Sequence, residues 1–414
     1  MVSSRAVKFP LVSRELILFI TAALALLLAG NTAADPLFQD HSTLKVEISA
    51  PLSTLVRERP EEEELPGTFS YTAEDGTRVE LDIQVRARGN FRYKFCDFPP
   101  LNLNFRRSQL EGTLLQNQNK LKLVGHCKIT RRYEQSVLRE YLAYRLLNAM
   151  TDLSFRVRLL EVTWVDSDER RGRMVRSAFL IEHRNRLAAR IGMEPREMEF
   201  AELSRVQADH LNLTSMFQYL IGNVDFSPIA GSNGECCHNY AMFGTNADAL
   251  VPVPYDFDFS GIVNAPNAEL DTERGVELMG QRVYRGYCEN NDAVEGSVAT
   301  FEQLREALYA VVGELATEAV EAGVEAAQRL VQGGAEGALD GHDLAGGLHL
   351  RAQVTLGPRE LVEGEARQLD HDVVERRLER RRRQSAGNLV LEFVQGITNR
   401  KLRGNLGNRE TRRF

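Results

Sequence analysis

Alternation of apolar and polar side chains is the strongest pattern in the first half of the chain. Val79, Leu81, Ile83, Val85 and Ala87 are interleaved with Glu80, Asp82, Gln84 and Arg86 after a Glu74-Asp75-Gly76 turn, a period of two that predicts a strand with one buried face. Residues 44–106 as a whole are strand-like. Lys120 to Leu123 alternate as well, with two leucines on one face and two lysines on the other. Residues 155–165 and 174–182 predict further strands around a polar turn. The period becomes helical from Ser136 to Leu147, an amphipathic segment. Residues 197–222 are expected to be mainly helical, stopped by Gly222, and 251–255 extended.

The ends of the chain differ in character. Arg5, Lys8 and Arg14 precede an apolar run, Leu16 to Leu28, followed by small residues up to Ala34, the layout of a signal peptide cleaved near Ala34. The run is short for a membrane span, so the mature chain is expected to be exported with no transmembrane segment. Beyond Cys288 an alanine- and glutamate-rich stretch, 301–331, passes into glycine-broken sequence and then an arginine-rich tail reaching Arg413; helices and a partly disordered basic end are expected. With 414 residues, 43% hydrophobic, a large core is possible, and a net charge of −7 speaks against specific nucleic-acid binding as the main role.

In an exported chain, five cysteines imply disulfides with one thiol left over. Cys96 with Cys127, and Cys236 or Cys237 with Cys288, are the expected pairs. A metal site is the competing arrangement, but no C-x-x-C spacing supports zinc.

The candidate chemistry lies in two short segments, Gly222-Asn223-Val224-Asp225 and Pro254-Tyr255-Asp256-Phe257-Asp258-Phe259-Ser260-Gly261, with Asn239 between them. Phosphoryl transfer needs a carboxylate to orient the attacking hydroxyl, here Asp225. It also needs an acid and an amide to hold a divalent cation on the nucleotide phosphates, here Asp256 and Asn239. Magnesium or manganese accepts such a sparse oxygen set, keeping waters for the rest. Taken singly, each acid could equally be an ordinary loop residue.

The order Gly222-Asn223-Val224-Asp225, His238-Asn239-Tyr240, Pro254-Tyr255-Asp256-Phe257-Asp258 resembles the active site of the CotH kinase-like family and, more distantly, of HipA-type atypical kinases. Val85-Arg86-Ala87-Arg88-Gly89-Asn90 is similar to the turn that opens the CotH-like domain. The resemblance covers roughly residues 80 to 290. It implies an α+β, two-lobed atypical kinase-like fold: a sheet-rich lobe over 35–190, a mainly helical lobe with the catalytic and metal motifs over 191–295, and helices and tail over 296–414. It implies ATP as co-substrate and Asp225 as the catalytic residue. Asn239 and Asp256 would be metal ligands, with Asp258 behind them or as an alternative ligand. Lys122 would lie on the phosphates, positioned by Glu140, as in the lysine–glutamate pair of kinases, with Arg88 in the phosphate turn; Arg139 and Arg145 are possible stand-ins for the lysine. Two features depart from kinases: the interval from Asp225 to Asn239 is longer, with 228–235 as an inserted loop, and no glycine-rich fingerprint is present. The acceptor, a protein or another envelope molecule, is open. A metal-dependent glycosyltransferase using Asp256 and Asp258, or a non-catalytic envelope protein with the same fold, are the alternatives.

Overall fold

A computed structural model of the chain describes residues 35–60, 63–231, 235–245, 249–278 and 280–321. The expected signal segment, the glycine-broken stretch and the basic tail lie outside these residues. The described chain is α+β, and among its residues no helix is long and apolar enough to cross a membrane.

The alternating segments close into a barrel. Its strands are β1 (Leu44–Ala50), β2 (Leu65–Thr72), β3 (Arg78–Ala87), β4 (Leu101–Phe105), β5 (Lys120–Val124), β6 (Val157–Asp166) and β7 (Met174–Ile181), in the order β1-β2-β3-β4-β5-β7-β6. All neighbours are antiparallel except β1 and β6, whose parallel pairing, with Ile48 opposite Trp164, completes the circle. The inward set of β3 is the one that the period of two selects: Leu81, Ile83 and Val85 are buried together with Ile48, Phe69, Leu103, Leu123, Val162 and Trp164.

A second core lies outside the barrel wall. The long helix α3 (Arg131–Met150) follows two short ones, α1 (Leu52–Arg57) and α2 (Phe91–Phe95), and buries Val137, Tyr141, Tyr144 and Leu147. It packs on the outer residues of β6 and β7, so Val157, Leu159, Phe179 and Ile181 belong to its core while Leu160, Val162, Ala178 and Leu180 face the barrel interior. Burial on both faces explains the apolar runs Leu159-Leu160 in β6 and Ala178 to Ile181 in β7.

Residues 191–295, expected to be mainly helical, are mixed. After α4 (Arg184–Ile191) come β8 (Glu194–Arg196), α5 (Ala208–Leu220), β9 (Tyr240–Gly244) and β10 (Val251–Pro254), the strands forming a sheet in the order β10-β9-β8. Helices α6 (Val294–Gln303) and α7 (Arg305–Glu321) follow. The helix expected over 197–222 is confined to α5 and a single turn at Leu203–Arg205. The reason is tertiary: the loop after Asp225 supplies backbone partners to the segment before α5, with Ala201 N–H donating to Ile229 and Cys236 N–H to Met198.

Cys96 and Cys127 form the expected disulfide, with Cα atoms 4.6 Å apart. The second expected pair is corrected: Cys236 bonds to its neighbour Cys237, and Cys288 is an exposed free thiol. The Cys96–Cys127 bond closes a loop across 31 positions and ties α2 to the segment leading into α3. Replacing both cysteines with alanine is expected to lower the unfolding free energy by about 3 kcal/mol. Guanidinium titrations of the parent and the double variant measure it, and a difference under about 0.5 kcal/mol would show that the crosslink leaves the unfolded state unconstrained.

Candidate active site

Two backbone devices bring the candidate residues together. At the end of α5, Gly222 adopts φ +66° and turns the chain, with its own N–H donating to Tyr219 and that of Asn223 to Gln218. The turn lies directly on the second acidic segment: Gly261 N–H donates to Gly222 O at 3.0 Å and Ile262 N–H to Ile221 O at 2.9 Å. A Cβ on Gly261 would meet Gly280 Cα at 2.6 Å, so glycine is required for this approach. The β9–β10 hairpin does the rest. Tyr240 is opposite Pro254, and Tyr255 N–H donates to Asn239 O, which places Asn239 and Asp256 side by side at its open end. Both hold positive φ, +55° and +61°, a conformation costly for a non-glycine residue and concentrated at functional sites.

Asp225 is held on every side. Asn223, 1% exposed, accepts the Asp225 N–H with its side-chain oxygen at 3.0 Å and donates to Gln218 at 2.9 Å. Asn239 Nδ2 donates to the Asp225 carbonyl at 2.7 Å and to its Oδ2 at 3.0 Å, while His238 Nε2 lies 2.7 Å from Oδ1. Arg285, on the far side, donates to the carbonyls of Val224 and Phe226, the residues flanking Asp225.

Phe257 is fully buried, its ring 4.7 Å from Tyr144 and 5.5 Å from Phe217. Pinning it turns the acids on either side into the cleft, where they meet Arg92. Arg92 Nε donates to Asp258 at 2.7 Å, and Nη2 donates to Glu140 at 2.8 Å and to Asp256 at 3.4 Å. The expected Lys122–Glu140 pair is therefore not formed. Glu140, buried on α3, is held by Arg92, because a planar fork on α2 can serve three carboxylates at once where an ammonium is a single point. Asp258 is likewise buried, its Oδ2 accepting from Arg92. Arg139 donates to the Val263 carbonyl and Arg145 pairs with Glu314, so neither stands in for the lysine.

Arg88, at the end of β3, keeps its Nε–H buried without a partner. Lys122 on β5 lies 5.2 Å over the Tyr255 ring, and neither residue makes an ion pair among the described residues. Burial, and then the Arg88 guanidinium, bring the Lys122 ammonium down to about 8, against the attraction of Asp256. Burial also lowers Arg88, with Asp256 opposing and Arg92 adding to it. Burial pushes Glu140 up to about 8 and raises Asp258 in the same direction, since one guanidinium cannot neutralise three carboxylates. The hydrogen bond to Asp225 raises His238.

Asp225, Asn239, Asp256, Asp258, Glu140, Arg88 and Lys122 are thus linked into one cluster by hydrogen bonds and mutual electrostatics. Among the described residues no three histidine, cysteine or acidic side chains form a ready metal cage. Magnesium does not need one, and two oxygens suit it. Asp256 is half-exposed and meets Arg92 only at 3.4 Å, and Asn239, having spent its amide nitrogen on Asp225, retains its carbonyl oxygen. The residues not anticipated are Arg92, Tyr144, whose hydroxyl accepts the Asp256 N–H at 2.8 Å, and Arg285; His238 stood in the quoted His238-Asn239-Tyr240 segment without a role. Arg92 had a signal, the third arginine in Arg86-Ala87-Arg88-Gly89-Asn90-Phe91-Arg92. Tyr144 and Arg285 had none. Compared with known proteins, the chain matches no family model and no curated relative.

Proposed function

We propose that the chain is an exported phosphotransferase of atypical kinase-like type, which moves the terminal phosphoryl group of a nucleoside triphosphate to a hydroxyl on a protein or other envelope acceptor. The observation that carries this reading is the pair Arg88 and Lys122, two desolvated cations side by side that make no ion pair among the described residues, although Asp256 attracts both. Like charges are left together in this way when an anion is meant to join them. The three segments that resemble the CotH kinase-like site converge on that same cleft, and the Cys96–Cys127 disulfide supports an oxidising compartment.

In this reading Arg88 and Lys122 receive the phosphates, and Asp256 and Asn239 would hold magnesium or manganese, which supplies charge neutralisation on the phosphate oxygens. Asp225 accepts the proton of the acceptor hydroxyl as that oxygen bonds to the γ-phosphorus and the bond to the bridging oxygen breaks, releasing the nucleoside diphosphate. Each Asp225 oxygen already accepts one hydrogen bond and keeps a second lone pair for the task. Asn239, His238 and Arg285 fix its orientation, and most of the rate advantage is such positioning. A glycosyltransferase using Asp256 and Asp258 together is disfavoured, because Asp258 is committed to Arg92 at 2.7 Å.

Incubation of the purified full chain with γ-labelled ATP and magnesium or manganese, in the presence of an envelope extract, tests the reading by transfer of label. Its absence with both metals, together with no saturable nucleotide binding, leaves a non-catalytic envelope protein. A second check needs no acceptor. With its pKa near 8, Lys122 is expected to be acylated at pH 8 at least about tenfold faster than an ordinary surface lysine of pKa ~10.4, and magnesium–ATP should protect it. Peptide mapping after brief acetic anhydride treatment gives the rates; equal labelling of Lys122 with and without nucleotide would remove it from the phosphate site.

A further inference from the structure

A second cavity, of about 360 Å³, lies away from the cleft, between α3, α7 and the residues just before β1. Its floor is Arg145, whose side chain is only 9% exposed. The guanidinium donates to Tyr141 Oη at 3.2 Å and to Glu314 Oε2 at 3.2 Å. Glu314 itself is 55% exposed, so a buried cation is balanced by a carboxylate that stands largely in water. Such a pairing is lopsided: Arg145 has lost its hydration, while Glu314 would lose little by leaving. His41, also on the cavity wall, is held below its ordinary value by burial and then by Arg145, and so adds no second charge at neutral pH. Leu142 and Leu315 supply an apolar wall.

We infer that this cavity is a binding site for a small monocarboxylate with an apolar body, whose carboxylate takes the place of Glu314 on Arg145. Asp40, also on the wall, is already paired with Arg158 at 2.6 Å, so Arg145 is the cation released when Glu314 leaves and a monoanion matches it. A carboxylate is the fitting head group because a carboxylate already uses these donors at hydrogen-bond distance, and the volume accommodates a ring or a short alkyl chain against the leucines. The site does not depend on the phosphotransferase reading, since none of its residues belongs to the cleft.

Titration of the full chain with benzoate, followed by ligand-observed NMR or calorimetry, tests the proposal, with benzamide as the neutral control. Benzoate is expected to bind saturably and benzamide at least tenfold more weakly. Glu314→Gln removes the internal competitor and is expected to tighten benzoate by about threefold, the scale of a partly exposed ion pair. Arg145→Gln should abolish binding, and if that variant does not fold, Glu314→Gln decides alone. Absence of saturable binding in both the parent and Glu314→Gln overturns the proposal, as does benzamide binding as tightly as benzoate, or weaker benzoate binding to Glu314→Gln than to the parent.

Discussion

Replacing Arg92 with methionine is expected to cost the fold about 3–5 kcal/mol at pH 8.5, the scale for removing one partner of a buried ionic cluster. Methionine keeps much of the volume and leaves Glu140 and Asp258, both buried, facing each other and Asp256 without a cation. The effect should depend on pH in a definite sense. Glu140 and Asp258 have folded-state values raised by burial, so their contribution to stability is fully present below the ordinary carboxylate range and is lost as pH rises through the folded values, about 8 for Glu140. Removing Arg92 raises both further. The variant should therefore recover toward the parent as the pH falls from 8.5 to 6. Urea titrations of both proteins at the two pH values give the comparison, and a deficit that is the same at each would mean that the carboxylates are not what Arg92 stabilises.

The second large effect separates chemistry from binding. Asp225→Ala is expected to reduce phosphoryl transfer by about 10³-fold, as loss of a positioned proton acceptor does, with affinity for magnesium–nucleotide kept within about twofold. Asp256→Ala is expected to weaken that affinity by about tenfold or more, because its charge acts in the ground state as well as in the transition state. Calorimetric titration beside the labelled-phosphate assay resolves the two. Equal loss of affinity in both variants would place Asp225 among the ligands and sink its assignment as the proton acceptor.

Strands with one polar face were legible because a period of two leaves a mark in the residues themselves: β3 and β5 lie where alternation puts them. The candidate acids were legible because glycine and proline flank them, and the same glycines turn out to be points of backbone contact. Partner choice was not. Lys122 and Glu140 are spaced as a pair, yet Glu140 is taken by a guanidinium from a helix of five residues, a short element with no periodicity to read. Segment 198–201 failed for a related reason, since its extended form is imposed by hydrogen bonds from a loop some thirty residues on.

The shared strands β6 and β7 have a bearing on modularity. Barrels are usually thought of as detachable units, since closure removes their edges. This one is not detachable. Cutting the chain after Ile181 would keep every barrel strand together with α3, and yet bare Tyr144 and Phe155, which pack on Phe257 and on Phe243 and Tyr255, an apolar flank of the kind that drives self-association. The barrel and the segment bearing Asp225 and Asp256 are thus bound to be inherited, expressed and lost as one piece.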